Sequence, residues 1–302
     1  MGNPGKVEKT YISEEGMQDL WNVWYKELHN DRSGLTIKIN RIIESKQSEY
    51  QRIDVIDSDD FGKLLVLYGS LMVCDNDNNA YNEMITHVPL FSHPAPDEVL
   101  IIGGGDCGAL TEVMKHPEVK KCTMCELDRM VVETAQKHFP YLTTGLVDPR
   151  ANLIFQDGKK FIELGGEKYD LIILDLSDPV GPAADLFQRE FYEKVYDCLK
   201  DDGILVAQTE SPFYNKRTVR AIHKNLNELF PIARMYTCHM PIYPSALWSF
   251  GFGSKKYDPI VDFDQQRCDK LNLDTRYYNA EVHKGAFALP QFIKELLPGQ
   301  KP

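Results

Sequence analysis

Acidic side chains stand repeatedly where short apolar runs give out, and this spacing is the first sign of chemistry in the chain. Asp106 follows Gly103-Gly104-Gly105 at the end of the run Val99-Ile102, and Glu126 follows the run Lys121-Cys125 twenty positions later. Asp157 and Gly158 follow Asn152-Phe155, and Asp175 and Asp178 leave the run Leu171-Leu174 three positions apart. Glycines let a backbone turn tightly and approach a ligand, and a helix that follows offers free N–H groups. An acidic residue at the next strand end accepts both hydroxyls of a ribose. Glu126 or Asp157 alone reads equally well as a helix cap. The ordered set of glycine turn and two acidic strand ends goes further and describes a nucleoside site. Asp106 stands where a pyrophosphate would approach, which disfavours a dinucleotide and favours a ligand carrying a sulfonium or ammonium. Asp175 and Asp178 open a stretch stiffened by Pro179, Gly181 and Pro182. Its bland reading is a turn rich in Asp and Pro; its functional reading is a second carboxylate pair facing the same pocket.

These residues need a frame that brings strand ends together. From Val99 onward, apolar runs alternate with helical periodicity, as in a parallel sheet with helices on both faces. The strands are Val99-Ile102, Lys121-Cys125, Asn152-Phe155, Leu171-Leu174, Ile204-Ala207, Arg234-Cys238 and Trp248-Phe252. Val219, Ile222, Leu226 and Leu229 recur at helical spacing, as do Val132, Ala135 and Phe139, and these are core faces. Upstream, the first ~35 residues read as helical or irregular. The runs Thr36-Ile39, Ile53-Ile56, Leu64-Leu67 and Leu71-Cys74 read as one small antiparallel sheet. The expected architecture is α/β: a Rossmann-like methyltransferase fold with a seven-stranded, mostly parallel sheet over residues 78–302, preceded by a small antiparallel β-sheet domain over residues 1–77.

Composition excludes several alternatives. The 302 residues carry a net charge of −11, which works against nucleic acid and suits cationic ligands. No apolar run approaches the ~20 residues of a membrane span, so no membrane partner is expected. The N-terminal stretch lacks the pattern of a secretion or organelle signal, and a cytoplasmic location is expected. Seven scattered cysteines give no disulfide framework. The single CxxC, Cys122 and Cys125, lies in a strand and lacks a second ligand pair, so no metal site is expected.

The stretches SEYQRI, AYNEMITHVPLFSHPAPDEVLIIGGGD, YDLIILDLSDPVGPAADLF, GILVAQTES, PIYPSALWSF and YYNAEVHKGAFALP resemble the spermidine synthase family, and the likeness runs from about Trp21 to Pro290. The resemblance implies an aminopropyltransferase that uses decarboxylated S-adenosylmethionine as co-substrate, a small diamine such as putrescine as acceptor, and no resident cofactor. It assigns nucleoside contacts to Gln51, Glu126 and Asp157, beside Gly103, Gly105 and Gly158, and places Asp106 and Asp175 near the donor's ammonium. It assigns the acceptor to Tyr81, Asp178 and Tyr243, with Trp24, Gln208 and Trp248 lining the same region. Asp175 and Tyr81 are the implied catalytic pair. Ser177–Phe187 is a candidate lid, His283 has a structural or interface role, and a homodimer or homotetramer is implied.

The chain departs from the family pattern at Tyr68, Cys107, Thr111, Met72, Leu176 and Ala246, where relatives usually carry LDG, GGGDGG, an Arg-Glu pair, a Gln, DSSDP or DSTDP, and YPSG. Met72 removes an amide, and Leu176 and Ala246 make the walls more apolar or tighter. Two competing readings are an S-adenosylmethionine-dependent methyltransferase, whose ligand carboxylate Asp106 would repel, and a non-catalytic nucleoside- or polyamine-binding relative.

Overall fold

The computed structural model describes residues 23–177, 186 and 188–297. Two short sheets come first. Strands β1 (Val23–Asn30) and β2 (Ser33–Ile39) form an antiparallel hairpin, and β3 (Arg41–Gln47), β4 (Arg52–Ser58), β5 (Gly62–Leu67) and β6 (Ser70–Cys74) form a four-stranded meander. Two expectations are corrected here. Residues 23–30 are a strand, not helical or irregular chain, and Thr36-Ile39 pairs with β1, not with the meander. The strand β3 lies where no β-run is expected. One meander face packs Ile56, Leu64 and Val66 against Ile37 and Ile39 of the hairpin and Ile242; the other packs Ile53, Val55 and Leu65 against Val131, Phe139 and Leu142.

After α1 (Asn78–Ser92), strand and helix alternate: β7 (Glu98–Gly103), α2 (Gly108–Met114), β8 (Lys121–Glu126), α3 (Arg129–His138), β9 (Ala151–Phe155), α4 (Gly158–Leu164), β10 (Tyr169–Asp175), α5 (Arg189–Cys198), β11 (Leu199–Gln208), α6 (Lys216–Leu229), β12 (Ile232–His239) and β13 (Leu247–Ser254). The seven-stranded sheet has the order β12-β13-β11-β10-β7-β8-β9. Strands β7 to β11 run parallel, and β13 is antiparallel to both of its neighbours. All seven expected strands are present. Strand parity divides the core: Val99, Ile101, Leu171 and Ile173 pack on one face, and Leu100, Ile102, Ile172 and Leu174 on the other. The same parity sends Cys122 and Cys125 to opposite faces, so they cannot share a metal ion. All seven cysteines are free, six are buried, and burial pushes each thiol pKa up.

Register positions the site. Asp175 pairs with Gly103, and Glu126 with Phe155, so the carboxyl ends of β7, β8, β9 and β10 finish level. The chain leaves β7 toward β8 on one side and reaches β10 on the other, and ligands of open α/β sheets bind at such a switch point. Among the described residues no helix is long and apolar enough to cross a membrane.

The C-terminal helices α7 (Gln265–Leu271), α8 (Ala280–Gly285) and α9 (Gln291–Leu296) follow the last strand. His283, fully buried, bonds the Tyr278 hydroxyl at 2.7 Å and the Pro259 carbonyl at 2.8 Å, which is a structural role. Glu83, fully buried in α1, accepts from the amides of Arg276, Tyr277 and Tyr278 at 2.9, 2.8 and 2.7 Å. Glu83→Ala orphans three amides at once. We expect it to lower the unfolding free energy by roughly 3 kcal/mol, read from denaturant unfolding; an unchanged midpoint would contradict this role.

Candidate active site

A cavity of about 550 Å³ opens at the switch point, lined by Gln51, Tyr81, Gly103, Gly105, Asp106, Glu126, Asp157, Gly158, Asp175 and Tyr243, among others. The structure therefore brings ten of the expected site residues together. Asp178 lies outside the described residues, as does most of the candidate lid.

The glycine turn works by proximity. Gly103 has φ +84°, and a Cβ there would sit 2.1 Å from the Asp175 carbonyl oxygen, so only glycine allows β7 and β10 to end side by side. The Gly104 amide then donates to that carbonyl at 2.9 Å. Asp106 Oδ1 accepts from the Gly108 amide at 2.8 Å at the start of α2. Asp157 caps α4 through the Lys159 amide at 2.9 Å and also lines the cavity, so the cap does not remove it from the site. Glu126 is not a cap: Asp128 caps α3, accepting from Met130 N at 3.0 Å, and its own amide donates to Glu126 Oε1 at 2.8 Å.

Burial pushes the Glu126 carboxyl up to about 7. Burial, reinforced by the Asp106 charge, pushes Asp175 up to about 7 as well, and burial raises Asp106. The Tyr81 hydroxyl donates to Asp175 Oδ1 at 2.6 Å and partly offsets the rise. No Lys, Arg or His lines the cavity among the described residues.

Beyond Tyr81 an adjoining pocket of about 40 Å³ is lined by Glu27, Met72, Leu176, Gln208, Tyr243 and Trp248, with others. Tyr243 meets Tyr81 and Trp248 edge to face at centroid distances of 5.8 and 4.6 Å, and its hydroxyl bonds the Met72 carbonyl at 2.7 Å. Gln208 uses both ends of its amide internally, donating to Leu176 O and accepting from Glu210 N, each at 3.0 Å. Trp24 is corrected: it is 56% exposed and lines neither cavity, because β1 alternates and turns Glu27 inward instead.

Sequence reasoning missed Glu27, whose Oε2 accepts from the Leu71 amide at 2.8 Å, and Asp128; the EL and ELD spellings around them carry no distinguishing signal. Leu176 and Met72 line both cavities, whereas Thr111 lies away from them, bonding Leu142 O and Gly145 N. One further cluster, His93 with Asp170 and Asp202, has metal-like spacing. The Ala95 amide donates to His93 Nδ1, which leaves the proton on Nε2 facing the carboxylates and opposes ligation there.

Fold and site together define an α/β protein with a cavity at the switch point of its sheet, an anionic floor and an aromatic side pocket. The family model described as "Spermine/spermidine synthase domain" matches residues 78–265, and that described as "Spermidine synthase tetramerisation domain" matches residues 23–75. A polyamine aminopropyltransferase of Caldicellulosiruptor saccharolyticus is 44% identical over 275 residues, covering 91% of this chain and 98% of that one. Its counterpart in Bacillus subtilis is 40% identical, covering 91% and 99%. The crystal structure of spermidine synthase from Thermotoga maritima superposes with a TM-score of 0.87 at 43% identity, over 91% of this chain and 94% of that one. A spermidine synthase in complex with the transition-state analogue AdoDATO gives 0.89 at the same identity and coverage. The chain belongs to the spermidine synthase family of polyamine aminopropyltransferases.

The turn that presents Tyr243 is strained. The Ala246 amide closes it onto the Tyr243 carbonyl at 2.9 Å, Ser245 has φ +64° and Ala246 φ +53°. A left-handed L-residue costs roughly 1–2 kcal/mol, part of which glycine returns as unfolded-state entropy. Ala246→Gly is therefore expected to stabilise the protein by about 0.5–1 kcal/mol, visible as a small rise in Tm. A fall would show that the Ala246 methyl group contributes more than the strain costs.

Proposed function

We propose that the chain transfers the aminopropyl group of decarboxylated S-adenosylmethionine to putrescine or a similar diamine, releasing methylthioadenosine. The observation that carries this reading is the placing of Asp106, Asp175 and Tyr81 between the acidic strand ends and the aromatic pocket, in a wall that holds no cation among the described residues. Gln51, Glu126 and Asp157 hold the nucleoside, with Gly103, Gly105 and Gly158 giving close backbone approach. Asp106 and Asp175 neutralise the aminopropyl ammonium. Tyr243 and Trp248 flank the acceptor chain, Gln208 fixes the Leu176 wall, and Asp178 is assigned to the acceptor from the family motif. Glu27 at the far end of the side pocket suits a distal ammonium.

The acceptor nitrogen's lone pair attacks the carbon next to the sulfonium. As the N–C bond forms, the C–S bond breaks and its electron pair goes to sulfur, leaving a neutral thioether. The attacking amine must first be neutral, which at pH 7 costs on the order of 4–5 kcal/mol for a group with pKa roughly 10.4. Asp175, its carboxyl raised to about 7, is a better proton acceptor than an ordinary carboxylate. Tyr81 fixes its orientation. The division at residue 77, a dimer or tetramer built through the N-terminal sheets, and a cytoplasmic location belong to the same reading.

Wild-type protein is expected to form methylthioadenosine from decarboxylated S-adenosylmethionine and putrescine, and to turn over S-adenosylmethionine far more slowly. Comparable rates with both donors would refute the reading. Asp175→Asn is expected to lose ~10²–10⁴-fold in turnover while still binding methylthioadenosine, with partial recovery as pH rises toward the amine pKa. Near wild-type turnover at pH 7 would move the base elsewhere.

Charge linkage gives an independent check. The raised carboxyls favour their protonated form in the folded state, so their contribution to stability is full below about pH 4 and is lost as pH rises through about 7. A cationic ligand reverses this by favouring the carboxylates. Binding of decarboxylated S-adenosylmethionine near pH 6 is expected to release protons, and binding of neutral methylthioadenosine to release fewer. Calorimetry in buffers of different ionisation enthalpy measures both; equal release would sink the charge argument.

A further inference from the structure

Asp128 is buried, 3% exposed, at the junction of the meander and α3, and it belongs to no expected role. Its Oδ1 is used by the helix cap, and its Oδ2 accepts from Ser48 Oγ at 2.6 Å and from Gln51 Nε2 at 3.2 Å. Its amide meanwhile holds Glu126 Oε1 at 2.8 Å. An ionised carboxylate only accepts hydrogen bonds, so it fixes which end of the Gln51 amide faces it. The amide nitrogen must point to Asp128, and the carbonyl oxygen is left for the cavity. The same residue's amide engages Glu126 Oε1, while Glu126 Oε2 lies beside Gly105 at the cavity wall.

We propose that Asp128 is a positioning residue that presents two acceptors, Gln51 Oε1 and Glu126 Oε2, to the hydroxyls of the bound nucleoside. A ribose diol has two O–H donors, and acceptors held in advance match it without a flip of the Gln51 amide on binding. Because Gln51 comes from the meander turn and Glu126 from β8, Asp128 also ties the N-terminal sheet to the nucleoside site. The proposal rests on the donor reading above.

A reciprocal exchange tests it. Asp128→Asn keeps the helix cap, since Asn caps as well as Asp. Its amide nitrogen, however, would turn Gln51 around and present N–H groups to the ribose. We expect methylthioadenosine affinity to fall about tenfold or more, donor KM to rise in step, and kcat to stay within about twofold. Gln51→Glu alone sets two carboxylates face to face and is expected to show a similar loss. In the double variant, Asp128→Asn with Gln51→Glu, the amide introduced at position 128 donates to the carboxylate introduced at position 51. The other oxygen of that carboxylate again faces the ribose, so affinity should return to within about threefold of wild type. A purely structural Asp128 gives no such rescue.

Methylthioadenosine titrations of all four proteins, with thermal melts alongside, read the outcome. Wild-type affinity in Asp128→Asn, or a double variant as weak as the product of the two singles, overturns the proposal. If Asp128→Asn does not fold, Gln51→Glu decides: unchanged affinity in that variant overturns it. If wild type turns over the donor but the double variant shows no rescue, only this proposal falls. Failure of wild type to bind methylthioadenosine removes the donor reading and this proposal together.

Discussion

Negative charge confined without a counter-ion governs this molecule. Asp106, Glu126 and Asp175 are brought to one cavity floor by strand register, and no basic residue lines it among those described. Burial makes each carboxyl resist ionisation, and the Asp106 charge adds to that at Glu126 and Asp175. On the proposed function, a sulfonium or ammonium supplies the positive charge that the cavity wall lacks among the described residues, and the floor favours a cationic chain before any shape is considered. The aromatic side pocket adds faces on which an aliphatic ammonium rests favourably.

Backbone conformation holds that floor in place. The sharp turn at Gly103 lets β7 and β10 end in contact, and the carbonyl of Asp175 is fixed by the Gly104 amide. Around this rigid point the chain tolerates conformations that L-residues avoid. Tyr68 has φ +53°, Cys107 φ +67° and Ala246 φ +53°, and these are three of the six positions at which the chain departs from its family's pattern. Tyr68 lines the main cavity and is 75% exposed, Cys107 begins α2 beside Asp106, and Ala246 closes the turn of Tyr243. Local strain has accumulated at the edges of the site, where positioning constrains the chain most.

The parallel sheet was legible because its strands are buried on both faces and spell continuous apolar runs, and the glycine turn and acidic strand ends follow from them. The N-terminal hairpin was not legible, for a physical reason. In β1 the exposed positions include Val23, Trp24 and Leu28, and the buried one is Glu27, so its polarity runs opposite to its burial. Trp24 was assigned to the pocket by the family resemblance, and the same inversion hides Glu27 from a reading of the pattern. Strand β3, RIIESKQ, is largely exposed and shows no alternation to read. Asp128 meets Ser48 and Gln51, partners distant in sequence, and such pairs leave no local trace.

The thiols carry a practical consequence. Six of the seven cysteines are enclosed, the seventh is half-buried, and every one is held toward its protonated, unreactive form. The chain is therefore a quiet background for site-directed chemistry. A single cysteine placed on an exposed strand position, such as that of Lys26 on the outer face of the hairpin, would take a fluorophore or spin label while the native thiols stay silent. Distances between labelled subunits, or between the hairpin and a labelled nucleoside, then become measurable without first stripping the protein of its own sulfur.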